Sequence, residues 1–94
     1  MLVIIKSAPD TSEGKRGVKF ARDMSAEIVF LQNGVYFTQG LKLKDTEFTG
    51  TAYALEDDKR LRGLTTDDRK DIQEINYDSL IDLIVRHDKV TGMF

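Results

Sequence analysis

Ile28-Val29-Phe30-Leu31-Gln32-Asn33-Gly34-Val35-Tyr36-Phe37 is the stretch that decides what kind of sheet this chain builds. Its first four residues are a continuous apolar run, which suits an interior strand buried on both faces. Asn33-Gly34 then admits two continuations. Between Val29-Phe30-Leu31 and Val35-Tyr36-Phe37 it is the strongest local hairpin signal, because both residues tolerate the positive φ of a type I′ turn. Alternatively it ends a parallel strand and launches a short helix over Val35 to Leu41. In open α/β sheets that carboxyl-end position is where ligands and sites collect.

Upstream, Leu2-Val3-Ile4-Ile5 is a second unbroken branched run and predicts another strand buried on both faces. Pro9 and Asp10 break it. Asp10 with Glu13 makes a capping-box pattern for a helix running to about Met24, with Val18 and Ala21 as apolar members and Phe20 on a neighbouring stripe. Gly14 and Gly17 share one side of that helix, which implies close packing on the sheet or a glycine-lined approach for a ligand or partner.

Downstream, the polar, breaker-rich segment Gly40 to Thr49 reads as a surface connection. Thr51 to Leu55 is a third strand of small residues, as expected where helices press on both faces. Glu56-Asp57-Asp58 at the start, Arg60 and Arg62 at the end and Gly63 as the stop are what a one-to-two-turn helix with a complemented dipole needs. Thr65, Thr66, Asp67 and Asp68 read as a turn or cap. The trio Asp67, Asp68 and Asp71 lacks the central Gly and distal Glu of a calcium loop. Ile72, Ile75 and Tyr77 alternate with polar residues as a strand near an edge, and Asp78 is the expected N-cap of a last helix, Ser79 to about His87. Leu80, Ile81, Leu83, Ile84 and Val85 cover most of that helix's circumference. One sheet contact cannot bury so much, so a subunit interface is the economical explanation.

Alternating strands and helices give the α/β signature with right-handed crossovers. At 94 residues there is room for one small domain. Hydrophobic residues at 40% and charged residues at 32% exclude disordered and collagenous classes. No apolar stretch spans a membrane. Met1 to Ser7 lacks a basic region and a cleavage site, so it does not read as a secretory signal and the expected address is the cytoplasm.

With no cysteine there is no disulfide, thiolate zinc site, iron-sulfur cluster or thiol nucleophile. Fourteen basic and 16 acidic residues, interleaved to a net charge of -2, give no positive stripe for a phosphate backbone, so direct nucleic-acid binding is not expected. Glycine-rich nucleotide motifs are missing, and His87, the only histidine, sits where a helix dipole favours a cation. No cofactor, metal or catalytic residue is expected; the residues alone indicate a binding or assembly module.

Four segments carry a resemblance. Lys6-Ser7-Ala8-Pro9, Val29 to Tyr36, Tyr53-Ala54-Leu55-Glu56-Asp57-Asp58 with Arg62-Gly63-Leu64, and Tyr77-Asp78 leading into Leu83 and His87 resemble the DsrH/TusB family of sulfur-relay proteins. The resemblance implies a three-layer α/β/α domain around a small, mainly parallel sheet, and it turns Asn33-Gly34 toward strand end and helix. It also implies a non-catalytic subunit of a cytoplasmic complex with TusC-like and TusD-like (DsrE/DsrF-like) partners, passing persulfide sulfur toward 2-thiolation of a tRNA wobble uridine or serving dissimilatory sulfur metabolism. Some DsrH-like members carry a cysteine in the first helix; counted from Lys6-Ser7, that position here is Gly17. Asn33, Gly34, Tyr36, Leu80, Leu83, Ile84 and His87 are the candidate interface residues. The alternative is a stand-alone homodimeric module binding a small ligand or regulating at the Asn33-Gly34 and Glu56-Asp57-Asp58 strand ends. A metal-dependent hydrolase built on the acidic clusters is the remotest reading.

Overall fold

Asn33-Gly34 does not turn a hairpin. In the computed structural model, which describes residues 1–40, 42–64, 71–92 and 94, β1 (Leu2–Ile5) and β2 (Glu27–Phe30) pair in parallel, with Leu2 opposite Glu27 and Ile5 opposite Phe30. β3 (Ala52–Leu55) adds parallel to β2, β4 (Ile72–Ile75) parallel to β3, and β5 (Val90–Thr91) parallel to β1. The sheet order is β4-β3-β2-β1-β5, which leaves β4 at the edge its polar residues predict. The helices are α1 (Ser12–Asp23), α2 (Glu56–Leu61) and α3 (Tyr77–Arg86), with short 3-10 helices at Gln32–Thr38 and Lys44–Thr46.

The reason for the parallel outcome lies in tertiary packing. Past β2, Leu31 N–H donates to the Ile5 carbonyl at 3.0 Å and Gly34 N–H donates to Lys6 O at 3.1 Å, so the chain stays fastened to the end of β1. A Cβ at Gly34 would collide with the Ile5 carbonyl oxygen, so glycine is needed here for close backbone approach rather than for turn conformation. Gln32, at φ 51, makes the sharp change of direction. Val35 and Phe37 then enter the core, where Phe37 stacks on Phe30 at 5.0 Å.

Because successive strand residues point to opposite faces, the apolar runs feed two cores. On the α1 face Val3, Ile5, Ile28 and Phe30 pack with Val18 and Ala21 of α1 and with Val35 and Phe37. On the α3 face Leu2, Val29 and Leu55 pack with Leu80 and Leu83. Each such side chain is worth about 1.5–3 kcal/mol when fully buried. The result is the three-layer α/β/α arrangement expected.

Several boundaries differ from the sequence expectation. Thr11, not Asp10, caps α1: its backbone is extended, and its Oγ1 accepts from Gly14 N–H at 3.0 Å while donating to Ala8 O at 2.7 Å. Asn76, not Asp78, caps α3, its Oδ1 accepting from Ser79 N–H at 2.8 Å, so Tyr77 opens the helix instead of closing β4. Asp78 falls in the first turn, where its charge still suits the dipole. β2 starts at Glu27 and ends before Leu31. The helix expected over Val35 to Leu41 starts three residues earlier; Leu41 lies outside the described residues. The segment 40–49 is not all surface, since Leu43 and Phe48 are buried around the Lys44–Thr46 turn. The turn read at Thr65 to Asp68, and with it Asp67 and Asp68 of the acidic trio, lies outside the described residues.

Candidate functional site

At the carboxyl ends of β2 and β3 the two segments singled out by sequence come together. The Gln32–Thr38 helix and α2 pack on each other, and the buried Asp58 supplies the joint: its Oδ2 accepts from Gln32 N–H at 2.6 Å. Arg62 closes the same joint, donating from Nε to Asn33 Oδ1 at 3.0 Å and from Nη1 to Asp58 O at 3.2 Å. Asp57 and Glu56 pair with Arg60 at 3.0 and 3.8 Å, as the complemented dipole requires. Lys59, buried, reaches Glu74 at 2.9 Å and ties α2 to the sheet edge. Of the acidic cluster, Asp58 holds the loop at Gln32, while Glu56 and Asp57 pair with Arg60 within α2. Among the described residues no three His, Cys, Asp or Glu side chains come together as a metal-holding group.

Of the candidate interface residues, Asn33 is exposed, Tyr36 and Ile84 are half-buried, and Gly34 is buried against β1. Leu80 and Leu83 are packed into the core beneath α3. His87 turns inward at the helix end, with its ring 12% exposed. The apolar residues that α3 leaves in solvent are Tyr77, Ile81 (57% exposed) and Val85 (79% exposed), and Leu61 of α2 adds to them at 81%. A shallow cleft lined by Leu61, Tyr77, Asp57 and Arg60 joins the two helices. Spacing contained this split: Leu80, Leu83, Ile84 and His87 follow i, i+3, i+4, i+7, while Tyr77, Ile81 and Val85 follow i, i+4, i+8.

Gly17 is buried in the middle of α1. A Cβ placed there would lie 2.7 Å from Phe94 Cβ and 3.0 Å from Ile5 Cγ1. Phe94 is held over it twice. Lys6 and Ser7 N–H donate to Phe94 O at 2.9 and 3.1 Å, and the ring sits 5.6 Å from that of Phe20. This is the carboxyl end of β1 next to β5, on the side of the sheet where strand order changes direction and where α/β ligand sites form. The chain fills that place with its own aromatic side chain.

A second hollow, of about 480 Å³, opens between α1 and the 42–47 segment, with Pro9, Lys15, Arg22, Phe37 and Lys42 among its lining. Sequence reasoning also missed a polar cluster at the opposite end of α3. Burial and, after it, the Glu27 carboxylate push the Tyr53 phenol above its ordinary range, with Arg86 pulling the other way. No sequence signal links residues so far apart. Among the described residues no helix is long and apolar enough to cross a membrane.

The family model described as DsrH like protein matches residues 6–90. Among solved structures, the crystal structure of the ychN protein from E. coli is similar at a TM-score of 0.74, with 12% identity over 98% of this chain and 97% of that one. At that identity the likeness is one of fold. No curated protein sequence matches the chain.

Proposed function

The chain belongs to the DsrH-like family, and from that premise we propose that it is a non-catalytic subunit of a cytoplasmic sulfur-relay complex with TusC-like and TusD-like partners. The observation that carries the reading is Gly17 beneath Phe94. With no cysteine anywhere in the sequence, the chain holds no persulfide, and the space where some relatives place a thiol is taken by a side chain. The reactive sulfur then belongs to a partner of the same fold. The exposed Tyr77, Ile81, Val85 and Leu61 supply the apolar surface that such a partner would cover. The downstream acceptor we favour is the wobble uridine of certain tRNAs, reached through the partners, since this chain's charge balance does not suit phosphate backbones.

Deleting this subunit tests the reading. Persulfide loading of the partner's cysteine, followed by intact mass, is expected to fall or the partners to fail to assemble; equal loading with normal assembly would sink the proposal. The second reading, a homodimeric ligand-binding module, draws on the hollow beside α1. It gains if the purified chain is a self-associated dimer with no partner of the same fold.

A further inference from the structure

We infer that His87 and Glu27 form a proton-operated latch fastening the carboxyl end of α3 to the amino edge of the sheet, a device independent of the sulfur-relay reading. His87 Nδ1 lies 2.8 Å from the Leu83 carbonyl oxygen. A carbonyl cannot donate, so Nδ1 carries the hydrogen of that bond. The bond also occupies one of the carbonyls that a helix end leaves unpaired. With Nδ1 protonated, a neutral ring presents only a lone pair at Nε2. That atom lies 3.5 Å from Glu27 Oε1, which is buried and has no hydrogen-bond partner among the described residues. Two acceptors facing each other in a buried gap are unfavourable. One proton on Nε2 converts them into a charge-assisted pair and satisfies both groups.

What the latch holds follows from the topology. Glu27 opens β2 opposite Leu2, and His87 stands three residues before β5. Leu2 N–H donates to Lys89 O at 2.9 Å, so the segment leaving the latch is the one that adds β5 to β1. The other ionisable groups at this end of α3 are Tyr53 on β3, whose neutral phenol hydrogen-bonds to the Glu27 carboxylate, and Arg86, which interacts with Tyr53; Asp88 and Lys89 follow in sequence and are exposed. The charge-assisted pair exists only while Nε2 carries a proton.

Because His87 is the only histidine, its ring nitrogens can be followed without ambiguity in long-range proton-nitrogen spectra, from about pH 5 to about pH 9. In the wild-type chain the ring is expected to pass from the doubly protonated form to the Nδ1–H tautomer. Glu27→Gln, whose amide can donate to a neutral Nε2, is expected to make protection of the Leu2 amide independent of the ring's proton. A neutral ring with its hydrogen on Nε2, or a Glu27→Gln chain whose Leu2 amide protection follows pH as the wild type's does, would overturn the latch. Should the variant fail to fold, the wild-type tautomer still decides, together with hydrogen exchange at the Leu2 amide. Its protection, corrected for intrinsic pH dependence, is expected to drop as the ring deprotonates; constant protection contradicts the proposal.

Discussion

The two long helices cover opposite faces of one sheet, yet only one of them is finished as an outer surface. α1 buries Gly14, Gly17, Val18 and Ala21 and turns charge outward: Lys19 pairs with Asp23 at 3.0 Å, and Arg22 donates to Thr46 O at 3.1 Å. α3 buries Leu80 and Leu83 and turns Tyr77, Ile81 and Val85 outward, with Leu61 beside them. Exposed apolar side chains scattered singly mean little, but a stripe at helical spacing continued by a neighbouring helix marks a surface meant to be covered. A layer with a charged outer face and a layer with an apolar outer stripe thus share one sheet.

If the contrast is real, substitutions on the two faces of α3 must separate stability from assembly. Leu83→Ala, on the buried face, is expected to cost about 2–5 kcal/mol, read from urea or thermal unfolding, because a cavity opens beneath the helix. A cost below about 1 kcal/mol would mean that α3 is not docked as described. On the α1 side, Gly17→Cys is expected to cost about 1–3 kcal/mol by overpacking against Phe94 and Ile5. Phe94→Ala in the same chain should recover part of that loss and make the new thiol reactive toward alkylating reagents. A thiol that reacts equally with Phe94 intact would show that the ring does not cover the position.

Smaller still in the isolated chain is the effect of Ile81→Asp with Val85→Glu. It is expected to stay within about 0.5 kcal/mol per site of the parent stability, since both residues are in solvent. The same pair is expected to abolish co-purification of the partner. Least of all, Lys19→Ala removes an exposed pair whose effect strong salt should erase. Its pH signature is definite. Lys19, by hydrogen bond first, holds the Asp23 carboxyl below its usual value of 3.8, so any stabilisation is present above that value and lost as pH falls through the depressed one. Parent and Lys19→Ala are therefore expected to differ at neutral pH and to converge in acid; a difference confined to pH below the depressed value would contradict this assignment.

How far the sequence carried these conclusions depends on where the deciding physics is local. The apolar runs at Leu2–Ile5, Ile28–Phe30 and Ala52–Leu55 were legible because strands covered on both faces cannot alternate. The family's segments settled the parallel sheet where the Asn33-Gly34 dipeptide by itself pointed equally to a hairpin. The actual constraint, a glycine pressed on the Ile5 carbonyl, is a contact between residues almost thirty apart. The α3 cap slipped because Asn76 and Asp78 are both good capping residues two positions apart and Tyr77 extends the strand's alternation. β5 passed unnoticed because two residues, Val90 and Thr91, carry no period. The covered and uncovered faces of α3 were confounded because five apolar side chains in six positions leave the helix's phase to the sheet beneath it. Phe94 over Gly17 and His87 against Glu27 join opposite ends of the chain, and nothing in either neighbourhood announces them.

The most direct test of the central claim is an affinity pull-down of the tagged chain from its native cells without reductant, run beside Ile81→Asp with Val85→Glu and read by native and intact mass. The expected result is a same-fold partner whose cysteine carries an extra sulfur atom, present with the wild-type chain and absent with the double variant. Recovery of a homodimer alone, or of the charged partner undiminished by the two substitutions, would contradict the account of α3 as the uncovered face of a sulfur-relay subunit.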